Sequence, residues 1–230
     1  MGMELTAVRR ARAKLPSKRA LRESLVFDPR FQYAHRRCFE TWLRVRTMLV
    51  NRRHRAPIRP LAIYWIPPEE IALKMVGGEE FGKRSAGKVL GGDWTRNVEE
   101  IQAYDLYRMM KRHFVDDVPW AETERYRDLV ERVRSGESVW HYCTTEADIA
   151  ERCRGLDELY RQIDRDGVLH PKDLESDEHD DPLFDPSANR FPVPLRSISV
   201  NIGPDGEPIL DDGRHRAIVA RLCGVSEVPV

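Results

Sequence analysis

Cysteine is scarce in this sequence, and no two cysteines have the spacing that a metal or redox motif requires. The four cysteines are far apart in the chain, and none belongs to a Cys-x-x-Cys pair. This spacing argues against zinc ribbons and thioredoxin-like redox sites. We therefore expect reduced thiols in a cytoplasmic protein. The four are Cys38, Cys143, Cys153 and Cys223.

Long hydrophobic runs are also missing. No stretch of the sequence approaches the roughly 20 apolar residues that a membrane-spanning helix needs. The basic N-terminus lacks the apolar region that follows such a segment in a signal peptide. The sequence therefore predicts no membrane partner, which agrees with a cytoplasmic location.

The sequence has no net charge, but its charges are unevenly distributed. Residues 1–60 contain 16 basic and 4 acidic residues, a net charge of +12, and the remainder carries 22 basic and 34 acidic residues, a net charge of −12. We interpret residues 1–57 as a basic, helical N-terminal appendage. It either binds nucleic acid or another anionic surface, or it packs on the acidic remainder of the chain. Apolar residues at helical spacing within it are Phe39, Trp42, Leu43, Met48 and Leu49.

The common signatures of nucleotide-binding proteins are absent as well. The sequence contains neither a Walker A motif nor the protein-kinase signature set. Any phosphate site must therefore be built from a different element, and the C-terminal region offers one. There, "LRSISVNIG" (195–203) is typical of a strand, "PDGE" of a hairpin turn, "PIL" of a returning strand, and "AIVARLCG" (217–224) of a short helix.

Between that returning strand and that helix stands "DDGRHR" (211–216). A strand that runs through a glycine turn into a helix presents backbone N–H groups and the positive end of the helix dipole. Arg214 and Arg216 add guanidinium groups suited to phosphate oxygens, and His215 can donate, accept or transfer a proton. Gly213 and Asp212 complete the predicted anion site. The structural alternative is that Asp212 caps the helix while the arginines pair with nearby carboxylates.

The upstream region divides into three parts. "IRPLAIYWIPPEEI" (58–71) predicts a strand that ends at a proline turn, and a glycine-rich loop follows between residues 77 and 92. From residue 97 to about residue 165 the pattern is helical, with Thr145 as an N-cap and Gly167 as a helix end. The acidic stretch "ESDEHDDPLFDPSANR" (175–190) is interpreted as a solvated loop, because its spacing matches no metal-ligand pattern.

Three segments together resemble the ParB/sulfiredoxin-like superfamily. They are "IPPEEI" (66–71), "LDELYRQIDRDGVLHP" (156–171) and "DDGRHRAIVARLCGVSEVPV" (211–230). The resemblance implies an α+β fold: a small mixed-sheet core in residues 58–230, interrupted by a helical insertion at 72–155. We expect the hairpin of residues 198–210 to belong to the sheet.

This resemblance also implies a function, because members of the superfamily bind a nucleotide or phosphate at the glycine turn. It predicts ATP, ADP or CTP with Mg²⁺ at residues 212–216. Sulfiredoxin chemistry is not expected, since Arg214 stands where those proteins have their cysteine. The free-serine kinases of the superfamily have a turn that Gly213, His215 and Arg216 resemble most closely, which predicts a phosphotransferase.

Candidate catalytic groups follow from that kinase resemblance. They are His215 and, as the acidic group that activates a hydroxyl acceptor, Asp93 or Glu69. We expect the glycine-rich loop to bring Asp93 close to residues 212–216. Two other functions stay open: a nucleic-acid-binding protein or nuclease that uses residues 1–57, and a nucleotide-gated interaction module without turnover. The oligomeric state is left open.

Overall fold

A computed structural model describes residues 29–54, 58–76, 85–140, 143–170, 183 and 198–230. Within these ranges the chain forms five α-helices and two small sheets, which confirms the expected α+β class. The helices are α1 Pro29–Val50, α2 Asp105–Phe114, α3 Glu124–Arg134, α4 Glu146–Asp166 and α5 Arg214–Cys223. The strands are β1 Trp65–Ile66, β2 Leu73–Met75, β3 Val98–Glu100, β4 Ser199–Ile202, β5 Pro208–Asp212 and β6 Val228–Pro229.

The larger sheet has four strands in the order β3-β2-β5-β4. Strands β2 and β5 run parallel, with Leu73 opposite Ile209, while the other neighbours are antiparallel. The predicted hairpin is confirmed as β4 and β5, and its turn closes where the Gly203 N–H donates to the Glu207 carbonyl at 2.9 Å. In the smaller sheet β1 pairs with β6, so the C-terminal strand contacts the start of the body.

The predicted helical insertion of residues 72–155 is helical only in part. Strands β2 and β3 lie inside it and supply two of the four strands of the larger sheet. The helix expected from residue 97 begins instead at Asp105, because the backbone of 98–100 pairs with β2 and a 3-10 turn follows at 101–103. Here tertiary pairing overrides a local helical pattern.

Two clusters of buried side chains form the core. The first joins the sheet to α2, α4 and α5, and the second fills the space between α2, α3 and α4. Helix α2 belongs to both, since Leu106 and Met110 are buried in the first and Met109 in the second. The inserted helix is therefore an integral part of the core.

Most of the predicted helix ends are confirmed. Thr145 and Asp148 form a capping box at the start of α4, and Gly167 ends that helix with φ of +71°. The pattern "PWAETERYRDLVERVRSG" (119–136) predicts a helix that opens at Pro119, but α3 begins later, because a 3-10 turn at residues 120–122 separates it from Pro119. The Thr123 hydroxyl donates to the Trp120 carbonyl at 2.7 Å and so belongs to that turn.

Helix α1 docks on the body mainly through polar residues, in contrast to the predicted apolar stripe. Leu43 is fully buried, but Trp42, Met48 and Leu49 are 47%, 66% and 58% exposed. The Asn51 side chain donates to the Gly87 carbonyl and accepts from the Val89 N–H at 3.0 Å.

A close approach at Gly87 completes this docking. Its φ of +75° is strained for other residues, and a Cβ at that position would lie 2.7 Å from Thr47 Oγ1 and Pro60 Cβ. Only glycine therefore lets the loop at residues 85–89 lie against α1.

Two predictions concern residues that the structure does not describe: the first part of the basic appendage and the acidic loop. Residues 1–28, and residues 175–190 apart from Leu183, lie outside the described residues. None of the helices in the described ranges combines the length and apolar character that crossing a membrane requires.

Candidate functional site

The turn between β5 and α5 has the conformation that its glycine suggests. Gly213 has φ of +78° and ψ of 24°, the left-handed region that side chains with a Cβ disfavour. Its carbonyl accepts from the Ala217 N–H at 3.0 Å, so Gly213 is the N-cap of α5. The Asp212 carboxylate accepts from the Gly213 N–H at 2.8 Å, and the N-cap position of α5 is occupied by Gly213.

The first turn of α5 carries an unusual charge pattern. Its three residues are Arg214, His215 and Arg216, all half-buried, and it contains no acidic residue. Helices favour anions at this end, and a misplaced cation costs about 0.3–1 kcal/mol at an exposed position. The N–H groups of a first turn also lack intrahelical acceptors. The first turn therefore carries its arginines at the helix end that favours anions, directly after Asp211 and Asp212 at the end of β5.

Arg214 is held in place by a side chain from another element. Its guanidinium donates to the Tyr104 hydroxyl at 3.1 Å, and Lys74 Nζ lies 4.2 Å from the centroid of the same ring. Lys74 is only 12% exposed and pairs with Glu99 at 2.6 Å. Residues from β2, β3 and α5 thus meet at Tyr104, the residue before α2, where one cation contacts the hydroxyl and another the ring.

The sheet topology accounts for part of this arrangement: Lys74 and Glu99 face each other across β2 and β3, and Tyr104 follows the end of β3. Because β2 and β5 are parallel, their carboxyl ends lie at the same edge of the sheet, and β3 begins there, since the Val76 N–H donates to the Asn97 carbonyl at 2.8 Å. The carboxyl ends of parallel strands are where ligands bind in open α/β sheets. The turn at Gly213 follows β5 directly at this edge.

A third cationic side chain approaches from α4. The rings of His215 and Trp140 have centroids 6.4 Å apart, and the Arg152 guanidinium carbon lies 5.2 Å from the Trp140 ring. Trp140 has φ of +40°, which is rare for a bulky residue. Backbone hydrogen bonds between Val139 and Cys143, of 2.8 and 3.0 Å, flank this strained residue.

Asp93 lies at the same edge of the sheet but some distance from the turn. It precedes a 3-10 turn that leads into β3, and its carboxylate pairs with Arg96. Strand β3 is two strand spacings from β5, which is about 10 Å. The carboxylate of Asp93 is 55% exposed, so it is accessible from solvent.

Glu69 lies in a different place. Its backbone carbonyl accepts from Arg221 Nη1 at 3.3 Å, in the 3-10 turn at residues 68–70. Arg221 is seven residues after Arg214, which corresponds to about 10 Å along the axis of α5. The structure therefore does not bring the backbone of Glu69 to the glycine turn.

Sequence reasoning missed four residues of this region. Lys74 is the only charged residue in the apolar run "IALKMV", a signal that was present but needs the pairing of β2 to be interpreted. Tyr104, Trp140 and Arg152 carry no local signal. Their positions depend on long-range packing between helices and the sheet.

The described residues contain no group of three or more His, Cys, Asp or Glu side chains that could hold a metal ion by themselves. Comparisons with known proteins identify no matching family model, no matching curated protein and no matching solved structure. The functional interpretation therefore rests on the geometry of the site and on the resemblance of its motifs.

Proposed function

We propose that the protein binds a nucleotide through its phosphates at the turn of residues 212–216. The observation that carries this proposal is the concentration of cations around the start of α5, at the carboxyl edge of the parallel strands. The resemblance to the ParB/sulfiredoxin-like superfamily, which rests in part on the same turn, also supports it, because members of that superfamily bind nucleotides or phosphate at the equivalent turn.

Each residue has a distinct role in this proposal. Gly213 lets a phosphate approach the backbone, and the N–H groups after it point toward the anion. Arg214 and Arg216 bind phosphate oxygens through planar guanidinium groups. Tyr104 orients Arg214 through its hydroxyl, and its ring is held by Lys74, which pairs with Glu99.

The proposed ligand is ATP, ADP or CTP with Mg²⁺. Mg²⁺ in nucleotide sites keeps several waters and uses one or two protein carboxylates together with the phosphates. Asp211 and Asp212, at the end of β5, fit this limited requirement. A dedicated cluster of metal ligands is not needed.

Phosphotransfer extends the proposal by one step. The reaction depends mainly on positioning and charge neutralisation, and it needs a group that accepts the proton of the attacking hydroxyl. Asp93 and His215 are the candidates at this edge of the sheet. Glu69 is the weaker candidate, because its turn lies beside the C-terminal half of α5.

Calorimetry on Arg216 variants tests the proposed site. A charge-assisted hydrogen bond is worth about 1.5–3 kcal/mol, so Arg216→Ala should weaken binding of Mg²⁺ nucleotides about ten- to hundredfold. Arg216→Lys should recover only part of this loss, since lysine has no planar fork. Arg132→Ala is the control, because Arg132 lies on α3 and pairs with Glu137 at 2.9 Å.

Equal affinity in all four proteins would contradict the proposal, as would the absence of nucleotide binding by the wild type. Release of ADP or phosphate in the presence of a hydroxyl acceptor would establish turnover. If Asp93→Asn abolishes that release without weakening binding, Asp93 is the proton acceptor. Tight binding without release identifies the alternative of a nucleotide-gated module.

A further inference from the structure

A second basic site lies away from the sheet edge, at the C-terminal end of α1. A cavity of about 600 Å³ opens between this end of the helix and the turn at residues 58–62. Its volume lies within the range of about 300–1,000 Å³ that is typical of small-molecule sites. The cavity shares no residue with the proposed nucleotide site at residues 212–216.

Three exposed arginines, Arg44, Arg52 and Arg59, line this cavity together with the exposed imidazole of His54. Its lining contains no acidic residue. Arginines on α3 behave differently, since Arg134 pairs with Glu146 at 2.9 Å.

Among the described residues, the arginines and the histidine that line the cavity have no such partner. Over the described ranges, their side chains take part in no ion pair and no hydrogen bond. Three arginines that have no ion-pair partner in the described part of the chain therefore converge on the cavity.

The cavity also has an apolar wall. Ile58, Pro60, Leu61 and Ala62 are half-buried and line the side formed by the turn. An apolar surface of this kind can face the ring of a bound ligand, while guanidinium groups bind its phosphate oxygens.

We infer that this cavity binds a nucleotide unit, with its base against the apolar wall and its phosphate on the arginines. The unit is supplied either by a free nucleotide or by single-stranded nucleic acid. A phosphate alone would leave the apolar wall unused.

The dipole of α1 alone does not account for the arginines around the cavity. A cation just beyond a helix C-terminus stabilises the helix dipole, which explains Arg52. Arg44 lies about two turns before the end of α1, and Arg59 lies across the cavity on the turn. The negative end of the helix disfavours an anion, so binding depends on the cations that surround it.

Fluorescence anisotropy with a labelled 12-residue oligothymidine tests the inference on the full chain. Arg52→Gln should weaken binding about tenfold, because it removes a cation that lines the cavity. Arg53→Gln is the matched control: Arg53 is the next residue and is also exposed, but it does not line the cavity. Its binding should change less than twofold. Ala62→Phe should weaken binding without any change of charge, because it fills the cavity.

Competition identifies the source of the nucleotide unit. Displacement of the probe by AMP assigns a free nucleotide, and displacement only by unlabelled oligonucleotide assigns single-stranded nucleic acid. Inorganic phosphate that competes as well as AMP would overturn the role of the apolar wall.

Three other results would overturn the inference. They are no binding by the wild type, equal losses in Arg52→Gln and Arg53→Gln, and loss of oligonucleotide binding in Arg216→Ala. The last result would place the oligonucleotide at residues 212–216 and leave the proposed function standing.

Discussion

At the scale of single residues, the tyrosine that joins two cations is the most informative position. Tyr104 accepts a hydrogen bond from Arg214 through its hydroxyl and faces Lys74 with its ring. A substitution that removes the hydroxyl but keeps the ring therefore affects the orientation of Arg214 and leaves the contact with Lys74 in place.

Tyr104→Phe should reduce nucleotide affinity about three- to tenfold, because Arg214 loses one hydrogen bond of about 1 kcal/mol while the ring stays in place. Tyr104→Leu should reduce it further, since Lys74 also loses its aromatic partner. Calorimetry measures the affinities, and thermal unfolding checks that the fold survives. If Tyr104→Phe binds nucleotide with wild-type affinity, the Tyr104 hydroxyl does not contribute to the proposed site.

The thiols provide a second test at this scale. Burial raises the pKa of Cys153 to about 12 and that of Cys223 to about 11, and it also raises the pKa of Cys143. A raised pKa lowers the thiolate fraction at neutral pH, and thiolate is the reactive form. Cys38 is exposed on α1.

Titration of the native protein with a disulfide reagent at pH 7.5 should therefore show one fast thiol. Cys38→Ser should remove the fast phase and leave the slow one. Several fast thiols in the wild type would mean that the buried cysteines are accessible, contrary to the described packing.

The local structure of the contiguous part of the candidate site could be predicted from the sequence. The turn at residues 212–216 can be recognised because the patterns of a strand, a glycine and a helix follow one another directly in the sequence. Lys74 and Arg152 could not be predicted, because they reach the same region only through the pairing of β2 with β5 and the packing of α4 beside α5.

At the scale of elements, α4 shows how local hydrogen bonds define a helix start. Thr145 accepts from the Asp148 N–H at 3.1 Å, and the Asp148 carboxylate accepts from the Thr144 and Thr145 N–H groups at 2.8 and 2.9 Å. These hydrogen bonds lower the pKa of Asp148.

Thr145→Ala should lower the free energy of unfolding by about 1 kcal/mol, whereas Thr145→Ser should retain most of the wild-type value. Because the pKa of Asp148 is lowered on folding, its contribution is present above the unfolded pKa of about 4 and is lost as the pH falls below it. Asp148→Asn should therefore flatten the loss of stability in acid. Urea unfolding at pH 7 and pH 3 measures both effects, and an unchanged acid profile would contradict the second.

Elements with strong local signals were predicted, and those without were missed. The hairpin of β4 and β5 and the helix α5 have turn residues at their ends. Strands β2 and β3 have three residues each and exist because they pair with each other and with β5. A local pattern cannot identify strands this short.

At the scale of the whole molecule, the charge divides the sequence into a basic and an acidic part, whereas the hydrophobic core joins elements that are far apart in the sequence. The basic excess lies in residues 1–60 and the acidic excess in the remainder. The core nevertheless connects the sheet with both the inserted helix α2 and the C-terminal helix α5. The charge asymmetry can be read directly from the sequence. The membership of α2 in both hydrophobic clusters cannot, because it depends on which faces of the helix contact other helices.

The central claim is that the start of α5 holds the phosphates of a nucleotide. Amide hydrogen exchange followed by NMR, with and without saturating Mg²⁺ nucleotide, tests it most directly. The account predicts slower exchange at the amides of Arg214, His215 and Arg216, by up to about a hundredfold when the ligand concentration is a hundred times Kd. Unchanged exchange at these three amides in the presence of saturating nucleotide would contradict it.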